Sequence, residues 1–124
     1  MDGVLLLNKR YRLRKNKDFQ AVYGERNSVA SGAVVLYIMN NEASALPRVG
    51  FSVSKKTGNS VVRNRCRRLM REAVRPHLAN ISPGKDYVFI ARSSLAKAGF
   101  CEIERDILRA LMRKSCLNHL SGGE

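Results

Sequence analysis

The segment that most constrains the fold is residues 61–75, VVRNRCRRLMREAVR, which holds six arginines and one glutamate. On an α-helix, at about 100° per residue, its apolar side chains gather within an arc of roughly 100°, wide enough to face a core. These apolar residues are Val62, Cys66, Leu69, Met70 and Ala73. The arginines spread over the opposite side. We therefore predict an amphipathic helix that packs through one face and presents guanidinium groups on the other.

The charge of this second face indicates a polyanionic partner. Most charged helix surfaces are simply solvated, but they usually carry both acidic and basic side chains. Here Glu72 is the single acid. The whole chain has 23 Lys and Arg against 10 Asp and Glu, a net charge of +13 over 124 residues. Because the guanidinium fork binds phosphate bidentately and stacks on bases, nucleic acid is the partner we expect. A membrane surface is disfavoured, since it would require bulky apolar anchors and the chain has no Trp.

Length and apolar content indicate a single domain over residues 1–124. We expect a basic, extended or loosely held N-terminal arm at about residues 1–15 and a flexible tail at about 119–124. The apolar run at residues 4–7 is too short for a signal peptide, and its basic residues follow it. The three cysteines lack disulfide or zinc spacing. We therefore expect three buried thiols and a cytoplasmic protein.

Apolar alternation predicts three strands. They are AVVLYIM (33–39), a strand within RVGFSVSKK (48–56), and DYVFIARS (86–93). In the second, Val49, Phe51 and Val53 alternate with small residues, which predicts an open opposite face. With the helices, the order is helix, two strands, helix, strand, helix. We predict an α+β sandwich of a small sheet and its helices.

Two further helices flank these strands. Asn16 is expected to cap a helix over KDFQAVYG (17–24), which Gly24 would end. Its apolar face would hold Phe19, Val22 and Tyr23. The last helix is predicted over residues 100–120, where early acids and late bases suit the helix dipole. Its apolar stripe would be Ile103, Ile107 and Leu111.

RNA is favoured over DNA as the partner. A helix-turn-helix would require a second helix joined closely to the arginine-rich one by a tight turn, and the pattern before residue 61 predicts strand instead. Phe19, Tyr23 and Tyr37 could offer aromatic faces to unpaired bases, although such side chains more often belong to a core. The residues alone predict an RNA-binding α+β domain.

The segment SVSKKTGNSVVRNRCRRLMRE (52–72) resembles the signature of the bacterial ribonuclease P protein component. A Lys-Lys-x-Gly-Asn turn leads into an Arg-Asn-Arg helix. The resemblance extends to RLRKNKDFQAVY, SVASGAVVLYIM, RVGFSVS and DYVFIAR, and covers about residues 10–117. It implies the family's fold, including a left-handed crossover between two parallel strands, which ordinary chain connections avoid.

The resemblance also implies a function, the removal of the 5′ leader from precursor tRNA by a ribonucleoprotein. In that family the RNA subunit carries the chemistry and the Mg²⁺ ions, while the protein binds the catalytic RNA and the leader. Contacts to the catalytic RNA would come from Lys55, Lys56, Arg63, Asn64, Arg65, Arg67, Arg68 and Arg71. The leader-binding cleft would be lined by Phe19, Tyr23, Val35 and Tyr37.

No catalytic or metal-binding residues are predicted in the protein itself. The pattern contains no convincing acid–base pair or activated nucleophile. His77 and His119 are expected at helix ends without partners, and the helix dipole accounts for Glu102, Glu104 and Asp106. Two rival functions remain open: a ribosomal or chaperone RNA-binding protein, and a nuclease with its own active site.

Overall fold

A four-stranded sheet organises the computed structural model, which describes residues 9–118. The α+β prediction is confirmed, with one strand more than the pattern indicated. In chain order the elements are α1 (Asn16–Gly24), β1 (Ser28–Ser31), β2 (Val34–Asn40), β3 (Arg48–Val53), α2 (Ser60–Val74), β4 (Lys85–Ala91) and α3 (Phe100–Arg113). None of the helices in this part of the chain is long and apolar enough to cross a membrane.

The additional strand, β1, forms a tight hairpin with β2. Ser31 is paired with Val34, so only two residues make the turn, and Gly32 adopts a positive φ of 54°. A side chain at Gly32 would also overlap the Asp106 carboxylate, which accepts a hydrogen bond of 3.0 Å from the Ala33 N–H. The sequence of β1, SVAS, is short and mostly small, which is why alternation did not reveal it.

The sheet order is β1-β2-β4-β3. β4 is antiparallel to β2 and parallel to β3, and α2 lies in the connection between the parallel pair, as the family resemblance implies. At one end of this pair, Arg48 on β3 is in register with Asp86 on β4. The two side chains form a bidentate ion pair with N–O distances of 3.0 and 2.8 Å.

The main core lies between one face of the sheet and helices α2 and α3. The predicted stripes of both helices are confirmed, because Cys66, Met70 and Ala73 are buried together with Ile103, Ile107 and Leu111. They pack against the alternate residues of β2 that face them, Val34, Leu36 and Ile38. The apolar face of α2 is thereby fixed against the sheet, and its arginines point away from this core.

Helix α1 covers part of the other face of the sheet. Val22 is buried there against Val88 and Leu13. The predicted Asn16 cap is wrong: the helix begins at Asn16, the extended residue before it is Lys15, and no side chain caps it. The helical turn also continues past Gly24, and Arg26 takes the positive φ, at 57°.

The segment before α1 is anchored to the sheet edge. Arg12 forms a parallel bridge with Val49, and the Leu13 N–H donates to the Val49 carbonyl at 2.9 Å. The Leu13 side chain is buried. Of the two alternatives predicted for the arm, the extended one is confirmed and the loosely held one is wrong at residues 12–13, because a single leucine within the basic run supplies a core contact. Residues 1–8 of the predicted arm lie outside the described residues.

The last helix is shorter than predicted and ends at Arg113 rather than at residue 120. Ser115 adopts a positive φ of 57°, and the Cys116 N–H returns to the Leu111 carbonyl. Leu117 then bridges Ile81 in antiparallel fashion. Burial of Cys66 and Cys116 is confirmed, whereas Cys101 is exposed at the start of α3. His119 and the predicted tail at 119–124 lie outside the described residues.

Candidate nucleic-acid interface

The basic surface of α2 begins in the turn that precedes the helix. Lys55 and Lys56 are exposed in a 3-10 turn, Lys55–Thr57, immediately before Gly58. A Cβ on Gly58 would lie 2.8 Å from the Cβ of Val62, so only glycine permits this close approach. Asn59 caps the helix by accepting a hydrogen bond of 3.0 Å from the Val62 N–H. The two lysines therefore continue directly into the arginines of α2.

We call the outer surface of α2 and the turn before it the crest. Its residues are Lys55, Lys56, Arg63, Asn64, Arg65 and Arg68, and its arginines have few protein partners. Arg68 is exposed and lies 3.7 Å from Glu72, the one acid of the helix. Arg65 is exposed on the edge towards residues 93–97 and donates to the Ala96 carbonyl at 3.2 Å. Asn64 is exposed, and the half-buried Arg63 reaches Ser60 at 3.3 Å. This surface can offer several guanidinium groups to phosphates.

Arg67 and Arg71 lie on the same side of α2, one and two turns after Arg63, since residues four apart share one side. They line a groove of about 270 Å³ together with Arg12, Arg14 and the edge of β3. Burial, followed by the charges of Arg12, Arg67 and Arg68, lowers the pKa of Arg71. The structure thus divides the predicted arginines between the crest and this groove, which we call the arginine groove.

The predicted aromatic residues form a continuous row. The ring centroids of Phe19 and Tyr23 are 6.4 Å apart, and those of Tyr23 and Tyr37 are 5.2 Å apart, both in edge-to-face geometry. All three side chains are half-buried. Val35 precedes Tyr37 by two residues on β2 and therefore lies on the same sheet face. The structure brings the four predicted leader-binding residues to one face.

A second groove, of about 360 Å³, separates α1 from β3 and is lined by Phe19 and Tyr23. We call it the aromatic groove. It shares Arg14, Phe19, Phe51 and Arg67 with the arginine groove, so the two are continuous. At the boundary, Phe19 takes the space that a side chain at Gly50 would fill, with a Cβ only 2.5 Å from its ring. The open face predicted for β3 is thus covered by Phe19 at this position.

The groove residues that sequence reasoning missed include Arg12, Arg14 and Phe51. The alternation of Arg12, Leu13 and Arg14 was an available signal, because a buried leucine on an extended segment places both neighbours on the opposite side. The role of Phe51 could not be read in this way, because its ring stacks on Phe89, with centroids 6.0 Å apart, and still borders the groove.

The carboxylates nearest the core have structural partners. Asp86 accepts from Arg48 and Asn41, and Asp106 accepts from the Ala33 N–H. His77, predicted to lack a partner, instead lies 2.8 Å from Glu104 and joins the turn after α2 to α3. The two residues are 27 positions apart in the chain, so no local sequence pattern indicates that they pair. Within residues 9–118, no three His, Cys, Asp or Glu side chains gather as a metal-binding group.

The ribonuclease P family model matches residues 7–115, nearly the whole chain. The chain belongs to the ribonuclease P protein family. Curated relatives with the name ribonuclease P protein component support the same family assignment. The protein of Alkaliphilus oremlandii is 42% identical over 86% of this chain and 93% of its own length. That of Geobacillus kaustophilus is 36% identical, covering 95% of this chain and 96% of its own length.

Solved structures of ribonuclease P proteins show the same fold. The Staphylococcus aureus protein at 2.0 Å is 37% identical with a TM-score of 0.79, covering 87% of this chain and 98% of its own. The Thermotoga maritima protein, solved in complex with 1-(4-fluorophenyl)-2-thiourea, is 29% identical with a TM-score of 0.75, covering 82% of this chain and 98% of its own. The resemblance seen in the sequence is confirmed, and the ribosomal or chaperone alternative finds no support.

This chain is therefore a protein subunit of ribonuclease P, with a role in processing the 5′ end of tRNA. Membership of this family implies an RNA partner within a ribonucleoprotein. The basic crest and the two grooves are the surfaces through which such a partner would be held.

Proposed function

We propose that the protein holds two RNAs at once: the catalytic RNA of ribonuclease P on the crest of α2, and the 5′ leader of precursor tRNA in the aromatic groove. The RNA subunit would cleave the phosphodiester bond, and the protein would position both partners. Precursor tRNA processed in this way would gain its mature 5′ end. The observation that carries the proposal is the presence of two distinct RNA-compatible surfaces on one small chain.

The crest suits a folded RNA. Lys55, Lys56, Asn64, Arg65 and Arg68 are exposed on α2 and on the turn before it, and the half-buried Arg63 lies beside them. Since Glu72 is the only acid of α2, little of this charge is neutralised within the helix. Phosphate contacts of this kind supply most of the salt-dependent affinity for RNA without reading sequence.

The aromatic groove and the sheet face beside it suit an unpaired strand. Phe19 and Tyr23 line the groove, and Tyr37 and Val35 lie on β2 outside its lining. Bases of any identity can stack on half-buried rings, so a row such as Phe19, Tyr23 and Tyr37 would accept leaders of varied sequence. Val35 would add an apolar contact on the same face. This tolerance would broaden the range of precursor tRNAs that the enzyme processes.

The contacts of three acidic groups, Asp86, Asp106 and Glu104, support a division of labour in which the RNA carries the chemistry. Asp86 and Asp106 are buried and hydrogen-bonded to structural partners, and Glu104 pairs with His77. A general base must instead reach the proton that it removes. We propose that Mg²⁺ ions are held by the RNA and supply the charge stabilisation of cleavage there. The protein's net charge of +13 would offset phosphate repulsion and lower the Mg²⁺ concentration required.

The test is cleavage of precursor tRNA by the purified protein, by the catalytic RNA, and by the reconstituted complex, over a series of Mg²⁺ concentrations. We expect no cleavage by the protein alone and cleavage by the complex at lower Mg²⁺ than by the RNA alone. Metal-dependent cleavage by RNA-free protein that disappears in Glu104→Gln or Asp106→Asn would show instead that the protein has its own active site.

A further inference from the structure

We propose that a second row of arginines, on helix α3, binds the phosphate backbone of the catalytic RNA. The row consists of Arg105, Arg109 and Arg113, and we call it the α3 row. The inference rests on the proposed function, because it adds a contact surface for the RNA that is assigned to the crest. The α3 row lies outside the signature segment, residues 52–72, and outside the lining of both grooves.

The three arginines of the α3 row share one side of the helix. They are spaced four residues apart, so each lies about 6 Å further along the helix axis than the one before. All three are exposed, and they face away from Ile103, Ile107 and Leu111, which are buried in the main core. The helix therefore presents a straight series of guanidinium groups, an arrangement that can bind successive phosphates of one strand.

Two members of the α3 row have no acidic partner in the part of the chain that the structure describes. Arg109 makes no ion pair or side-chain hydrogen bond there. Arg113 donates to the Ala30 carbonyl at 2.6 Å, and this neutral acceptor holds the side chain without compensating its charge. Arg105 alone has acidic neighbours, which are Glu102 at 3.9 Å and Asp106 at 3.3 Å. Because Glu102 is the one exposed acid of α3, the exposed face keeps a net positive charge.

The catalytic RNA is the partner that this position favours. Helices α2 and α3 bury their apolar stripes against the same face of the sheet, so the crest and the α3 row both lie on the outer side of one helical layer. His77, in the turn after α2, pairs with Glu104 on α3, so the two helices are neighbours. The axes of packed helices are about 8–10 Å apart, so an RNA domain seated on the crest would also reach α3. Helix α1 and the aromatic groove lie on the other face.

The first experiment removes charge from the α3 row and leaves the crest unaltered. Arg109→Ala is the main variant, and a double variant combines it with Arg113→Ala. Lys17→Ala is the matched control, because it removes one exposed charge from α1, on the other face of the sheet. Affinity for the catalytic RNA is measured at a series of salt concentrations, and melting temperatures establish that each variant is folded.

We expect Arg109→Ala to lower the affinity for the catalytic RNA by about fivefold and to flatten its salt dependence by about 0.9 for the lost phosphate contact. The double variant should lose about twice as much of the salt dependence. Lys17→Ala should bind the catalytic RNA as the unaltered protein does. If the double variant fails to fold, Arg109→Glu replaces it, because Arg109 is exposed and has no partner within residues 9–118.

A second experiment measures whether the RNA lies beside the α3 row. Cys101 is exposed one helical turn before Arg105, whereas Cys66 and Cys116 are buried, so a thiol-specific iron chelate would attach at Cys101. Hydroxyl radicals released by the chelate should cut the catalytic RNA at one defined region of the complex. When the chelate is instead attached to Lys17→Cys in a Cys101→Ser background, that region should not be cut.

Unchanged affinity of the double variant for the catalytic RNA would overturn the inference, whatever the cutting pattern. A loss of affinity for precursor tRNA alone would also overturn it, because the α3 row would then contact the substrate. In both cases the proposed function stands if Arg68→Ala, on the crest, still weakens binding to the catalytic RNA. If Arg68→Ala has no effect either, the proposed function fails as well.

Discussion

Arg48 and Asp86 face each other across the parallel strands β3 and β4, joined by two hydrogen bonds of 3.0 and 2.8 Å. The Asp86 carboxylate is fully buried, and Asn41 donates to it from the loop after β2. The hydrogen bond to Asp86 raises the pKa of Arg48 despite partial burial. The Arg48 guanidinium therefore keeps its charge, and its two hydrogen bonds to Asp86 fix the register at the end of the sheet.

Removing one partner of this pair should destabilise the fold. Arg48→Met leaves a buried carboxylate with only the Asn41 amide, so we expect the free energy of unfolding to fall by about 3 kcal/mol. Lys85→Met is the matched control, because Lys85, the first residue of β4, makes an exposed contact with Asn40. Denaturant titration measures both. Equal stabilities for the two variants would contradict the structural role of the Arg48–Asp86 pair.

Tyr87 should make the fold sensitive to alkaline pH. Burial raises the pKa of Tyr87, and its hydroxyl donates to the Ser82 carbonyl at 2.7 Å. A tyrosine whose pKa is higher in the folded state contributes stability that is complete below its unfolded pKa, near 10, and is lost as pH rises above that value.

Tyr87→Phe removes this titration and the hydrogen bond. At neutral pH it should cost about 1 kcal/mol, and between about pH 9 and pH 11 its stability should fall less steeply than that of the unaltered protein. Melting temperatures across this range test the difference. Parallel curves for the two proteins would mean that Tyr87 does not govern the alkaline loss.

The crest arginines should contribute to RNA affinity and little to folding. Arg65→Ala or Arg68→Ala should weaken binding to the catalytic RNA by about 1–3 kcal/mol and flatten its salt dependence by about one unit per lost contact. Stability should hold, because both side chains are exposed and the Arg68–Glu72 pair at 3.7 Å is of the weak surface kind. Lys17→Ala, on the exposed face of α1, is the control for net charge. If these variants bind the catalytic RNA normally but melt at a lower temperature, the crest arginines have a structural role instead.

The sequence predicted the arginine helix well, because the stripe of Cys66, Met70 and Ala73 is a strong periodic signal. It also predicted the three longer strands, whose apolar residues alternate or run continuously. It did not reveal β1, since SVAS is short and mostly small and gives no comparable signal, and the strand depends on its hairpin with β2. The predicted end of α3 was too late in the chain because apolar residues continue after Arg113. In the structure, Ser115 and Cys116 turn the chain back towards Ile81.

The sequence identified most of the charged and aromatic residues of the candidate site. It predicted only in part which of them lie together in the structure. The family signature identified Arg67 and Arg71, but their separation from Arg65 and Arg68 depends on what lies beside each edge of α2. Arg12 and Arg14 approach that edge from about 50 residues away in the chain, through the contact of Leu13 with Val49. Such tertiary neighbours leave no local pattern. The His77–Glu104 pair was missed for the same reason.

The central claim is that one chain binds two RNAs through separate surfaces, and Tyr37→Leu tests it against Arg65→Ala. Leucine keeps much of the apolar bulk of Tyr37 while removing the ring that lies 5.2 Å from Tyr23. Loss of a stacked base should cost about 1–3 kcal/mol of binding. This loss should affect precursor tRNA and spare mature tRNA, which has no leader.

The decisive measurement is the ratio of precursor to mature tRNA affinity for each reconstituted variant, at one salt concentration, alongside affinity for the catalytic RNA. Tyr37→Leu should lower the ratio and leave catalytic-RNA binding unchanged, and Arg65→Ala should do the opposite. An unchanged ratio in Tyr37→Leu, accompanied by lower thermal stability, would contradict the account. It would mean that Tyr37 is a core residue and does not contact the leader.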